Sequence, residues 1–63
     1  MFIELTEIID TNYYRKVKFQ IKDIRRFFAV DEGTFLVVGN EIKIVTETYE
    51  QVKQLLTKGQ DHV

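Results

Sequence analysis

The side chains that do covalent chemistry are nearly missing from this 63-residue chain. It has no serine and no cysteine, which excludes serine- and cysteine-based nucleophiles. Its one histidine, His62, sits beside the last residue, where a positioned general base is not expected. A zinc site takes about four nitrogen or sulfur ligands, and a lone imidazole without thiols does not supply them. Asp31 and Glu32 are adjacent carboxylates, but beside Gly33 they read as a solvated turn. The glycines, Gly33, Gly39 and Gly59, are too scattered for a phosphate-cradling loop. The expectation is a protein without catalytic residues, metal or cofactor.

Binding chemistry offers more. Tyr14, Lys16 and Lys18 fall on one side of an alternating run, and Arg25 and Arg26 follow closely. Aromatic groups set among basic ones on a sheet hold single-stranded nucleic acid by stacking and phosphate contacts. The competing reading is that the lysines guard an exposed strand edge against pairing. Nine basic and ten acidic residues give a formal charge of −1. That balance lacks the basic excess of a dedicated nucleic-acid binder, and it favours edge protection.

These residues need a scaffold, and the pattern supplies one in β-forming segments. Phe2 to Ile9 is rich in apolar and β-branched residues and ends at the turn cluster Asp10-Thr11-Asn12. From Tyr13 to Gln20 the chain alternates, with Tyr13, Arg15, Val17 and Phe19 on one face and Tyr14, Lys16, Lys18 and Gln20 on the other. The two runs form a hairpin. A short connector, residues 21–24, leads to a strand over Arg25–Val30. Asp31-Glu32-Gly33 makes a turn, with Gly33 free to take positive φ. The apolar run over residues 34–38 reads as a strand covered on both faces. Gly39-Asn40 suits a two-residue hairpin loop with glycine first, and Glu41 to Val45 returns.

The chain then changes period. Thr48 and Gln51 have capping-box spacing, Glu50 and Lys58 suit the two ends of a helix dipole, and Gly59 provides a stop. Tyr49, Val52, Leu55 and Leu56 form one apolar stripe. A helix of about ten residues is marginal alone in water, so residues 48–58 must dock on the sheet, followed by a frayed tail over 59–63. The fold class is α+β: one domain, a small antiparallel sheet of four to five strands over residues 2–46, and one C-terminal helix.

One helix does not cover both faces of that sheet. Phe27 and Phe28, Phe35 and Leu36, and Ile8 and Ile9 are neighbours that point oppositely in a strand. Either the sheet curls into a barrel whose inside takes the second apolar set, or another subunit covers it. A chain this short buries only roughly 60% of its unfolded surface, and without disulfide or metal its available staple is association. A homo-oligomer, most simply a dimer, is therefore expected, with Phe2, Phe27 and Phe35 as candidate interface residues. Met1-Phe2-Ile3-Glu4 lacks the basic start and apolar core of a signal peptide, and no apolar run approaches a membrane span. A cytoplasmic location without membrane contact follows as the expectation.

The chain resembles the small flagellar and swarming-motility (FlbD-like) family and similar short phage and prophage proteins. The residues that carry the likeness are Leu5-Thr6, Ile24, Thr34, Leu36 and Gly39, then Val45-x-Glu47-x-x-x-Gln51-Val52. The resemblance implies a small accessory protein without catalytic residues. Together the readings predict a non-enzymatic accessory or adaptor protein acting through protein association. The alternative is a nucleic-acid-binding module using Tyr14, Lys16, Lys18, Arg25 and Arg26.

Overall fold

The computed structural model describes residues 1–61. It contains β1 (Phe2–Asp10), β2 (Tyr13–Gln20), a 3₁₀ turn (Ile21–Asp23), β3 (Ile24–Val30), β4 (Gly33–Val38), β5 (Glu41–Val45) and α1 (Tyr49–Asp61). This is the expected α+β order. The strands form one antiparallel sheet ordered β2-β1-β5-β4-β3.

Register follows from the apolar alternation. In β1, Ile3, Leu5 and Glu7 are buried while Phe2 and Glu4 are exposed. Across the hairpin Ile3 faces Phe19 and Leu5 faces Val17, so the apolar residues of both strands share the inner side. Leu36 of β4 and Val45 of β5 are fully buried, and Phe27 of β3 lies opposite Leu36. The Gly39-Asn40 loop joins the paired residues Val38 and Glu41, and Gly39 has φ 59°, as a glycine-first hairpin turn requires.

The connection between β2 and β3 curves the sheet. These strands are its two edges, and in a flat sheet they would stand about 19 Å apart. The step from Gln20 to Ile24 spans at most about 14 Å when extended, and here it is shortened by a 3₁₀ turn. That turn is tied to both sides: the Ile21 N–H donates to the Met1 carbonyl at 2.9 Å, and the Gly39 N–H donates to the Asp23 carbonyl at 2.9 Å. The edges are therefore drawn together and the sheet curls around its inner face. The helix covers the same face. Val52 is fully buried in the core with Ile3, Leu5, Phe19, Leu36 and Val45, and Leu55 and Leu56 pack against it. The curl thus encloses the helix-side apolar set, not the second one, which stays outside.

Where β5 ends, a side chain extends its ladder. The Thr46 N–H donates to the Thr6 carbonyl at 2.9 Å. One step on, the Thr6 N–H donates to Glu47 Oε1 at 2.9 Å and its hydroxyl donates to Oε2 at 3.1 Å. The Thr34 hydroxyl, fully buried, donates to the Glu47 carbonyl at 2.8 Å. The helix then starts through a reciprocal cap, with the Thr48 N–H donating to Gln51 Oε1 at 2.9 Å and the Gln51 N–H donating to Thr48 Oγ1 at 3.2 Å.

Three boundaries differ from the sequence reading. β3 begins at Ile24, inside the expected connector, because Ile24 pairs with Val38 across a bulge at Arg25. Gly33 belongs to β4 rather than to the turn, at φ 153°; a Cβ there would lie 2.1 Å from the Val45 carbonyl oxygen. Close backbone approach, more than turn geometry, requires this glycine. The helix continues past Gly59 to Asp61, because glycine permits a stop without imposing one and costs a helix only about 1 kcal/mol relative to alanine. Of the expected tail, residues 62 and 63 lie outside the described residues.

These contacts rank three substitutions. Leu36→Ala should cost roughly 2–5 kcal/mol, Glu47→Ala roughly 1.5–3 kcal/mol and Thr48→Ala about 1 kcal/mol. Urea midpoints measure all three, and a Glu47→Ala variant as stable as the parent would remove the side-chain ladder from the account.

Candidate association surface

The curl divides the apolar residues into two sets with different fates. Phe27 points inward and stacks on Tyr49 with ring centroids 5.1 Å apart. It packs against the core and is not part of an exposed interface. This corrects its grouping with Phe2 and Phe35, since adjacent strand residues take opposite faces and Phe27 has the face the helix needs.

On the outer face, register builds rows. Ile44, Phe35 and Phe28 lie side by side across β5, β4 and β3, and Ile42, Val37 and Arg26 form the next row. Phe28 and Phe35 stack at 4.7 Å between centroids. Ile42 is 63% exposed and Phe28 45%. The first row extends toward β2 through Ile8 and Tyr14, which are paired and line an open hollow of about 530 Å³ with Ile44, Asp10 and Glu32. The result is a contiguous apolar and aromatic face over three strands that no element among the described residues covers. Phe2 also points outward and is 57% exposed, but it stands about 20 Å along β1 from Ile8, outside this face. Isolated apolar residues on a surface are ordinary, whereas a contiguous patch marks an interaction site.

The basic candidates fall elsewhere. Tyr14, Lys16 and Lys18 are exposed on the outer side of edge strand β2. Arg26 is exposed on the outer side of the other edge, β3, and Arg25 occupies its bulge. Tyr14 shares its hollow with two carboxylates, Asp10 and Glu32, and with none of the basic residues. On the inner side, Lys43 Nζ lies 3.4 Å from Glu7 Oε2 and 3.0 Å from Glu41 Oε1. Its pKa is raised, first by the hydrogen bond to Glu41 and then by the charges of Glu7 and Glu41, against a smaller opposing desolvation. The stabilisation from this ammonium is fully present below the ordinary lysine value of 10.5 and is lost as pH rises through the raised one.

Among the described residues no group of three or more His, Asp or Glu side chains is placed to hold a metal, and no helix is long and apolar enough to cross a membrane. His62 lies outside the described residues. Compared with known families, curated proteins and solved structures, the chain shows no significant match.

The two fates of the apolar residues are testable by stability alone. Phe27→Ala should cost roughly 3–5 kcal/mol as an inner, stacked residue, while Ile42→Thr should change the stability of the folded subunit by about 0.5 kcal/mol or less. Thermal unfolding at low protein concentration checks both, and equal losses would contradict the assignment of faces.

Proposed function

We propose that this chain is a small non-enzymatic accessory protein of the cytoplasm that works by association, with a second copy seated on the outer face of β3, β4 and β5. The observation that carries the reading is the uncovered run of Phe28, Phe35, Val37, Ile42 and Ile44. A chain of this size gains most from burying such a face on another chain. The flanking charges suit a symmetric pair. Arg26 stands at one side of the face, and Asp10 lines the hollow with Ile8 and Ile44 at the other. A two-fold axis along the strands sets the arginine side of each copy against the aspartate side of the other, the self-complementarity an isologous dimer needs.

The test is linkage between folding and assembly. The melting temperature should rise with protein concentration. The double variant Phe28→Glu/Ile42→Glu should remain folded, since both side chains are exposed, yet lose that dependence. A compact monomer at high concentration, with a melting temperature unaffected by dilution, would overturn the proposal.

A further inference from the structure

The near-neutral charge of the chain conceals a segregation. Residues 13–30, which form β2, the 3₁₀ turn and β3, hold six of the nine basic residues and one of the ten acidic ones. This segment is strongly positive and the remainder correspondingly negative. Because β2 and β3 are the two unpaired edges of the curled sheet and the turn joins them, the positive charge follows one continuous seam.

The seam is built for contact. Lys16, Lys18, Lys22, Arg25 and Arg26 are all exposed, and the ion pairs among the described residues involve Lys43 alone. The negative charges beside the seam are Glu4, opposite Lys18, Glu7, opposite Arg15, and Asp23 within the turn. Two exposed aromatic rings border the run on its outer side. Tyr14 begins it, 51% exposed, and Phe2, 57% exposed, stands opposite Gln20 where β2 enters the turn. From these observations we infer that the β2–turn–β3 seam binds single-stranded nucleic acid, with its cations on successive phosphates and Tyr14 and Phe2 stacking on bases. A linear stripe suits a linear polyanion, and exposed rings beside it suit unpaired bases. A flat anionic membrane would leave the curled seam partly out of contact, and an acidic peptide would leave the rings without planar partners. Tyr14 and Arg26 border the apolar face, whereas Lys16, Lys18, Lys22, Arg25 and Phe2 lie off it, so the seam can be tested separately from self-association.

The test is fluorescence anisotropy of the full chain with a labelled single strand of roughly 16 nucleotides. About four phosphate contacts predict that affinity falls roughly 50-fold between about 50 and 200 mM salt. The variant Lys16→Gln/Lys18→Gln/Lys22→Gln/Arg25→Gln should lose at least about tenfold in affinity and most of the salt slope, with its circular dichroism and oligomeric state unchanged. Lys53→Gln/Lys58→Gln on the helix should bind as the parent does. Tyr14→Ala should weaken binding about fivefold or more without altering the salt slope. Absence of binding at the lower salt, parental affinity in the fourfold variant, or equal affinity for a duplex would overturn the inference. So would binding to phosphatidylserine vesicles, or displacement by polyglutamate as effective as by unlabelled strand, since either assigns the seam to another acidic partner.

Discussion

The Glu47 carboxylate holds the junction on which both layers of this protein depend. β5 pairs with β1 only briefly, with Glu7 opposite Val45, before the chain must turn away to form the helix. A β1 amide beyond that point would lose its ladder partner, and a buried amide without one is costly. Glu47 extends the ladder by accepting from the Thr6 N–H and hydroxyl, while its own carbonyl accepts from the buried Thr34 hydroxyl. One residue thus ties β1, β4 and the helix start together. The capping pair Thr48 and Gln51 then fixes the direction in which Val52 enters the core.

The second constraint is topological. A three-residue turn between the edge strands β2 and β3 forces curvature, and curvature makes the two faces of the sheet unequal. The concave side takes the helix and a closed apolar core. The convex side keeps Phe28, Phe35, Ile42 and Ile44 in register but outside. The same bend lays the basic edge strands along one seam, so surface charge and surface apolarity are both consequences of how the sheet closes.

Much of this was legible in the residues. Strict alternation in Tyr13–Gln20 gave the correct inner pair, Val17 and Phe19, and Thr48-x-x-Gln51 gave the helix start, because both signals are local. The β2–β3 closure was not legible, since nothing in Ile21-Lys22-Asp23 states that the strands on either side are opposite edges of one sheet. For the same reason Phe27 was grouped with Phe2 and Phe35: which of two neighbouring phenylalanines faces the helix depends on pairing with a distant strand. The positions from which a family resemblance is read in the sequence are structural ones in this fold. Leu5, Leu36, Val45 and Val52 fill the core, Thr6, Thr34 and Glu47 close the junction, and Gly39 makes the turn. A role for Glu47 had no local signal at all, because its partners Thr6 and Thr34 are far away in sequence.

The central claim is that the convex face of β3–β5 is covered by a second copy. Mixing isotope-labelled with unlabelled protein and recording only intermolecular proton contacts tests it directly. The account predicts contacts from the methyl groups of Ile42, Ile44 and Val37 to aromatic protons of Phe28 and Phe35 on the other molecule. Intermolecular contacts arising instead from the helix, or none from this face in concentrated solution, would contradict it.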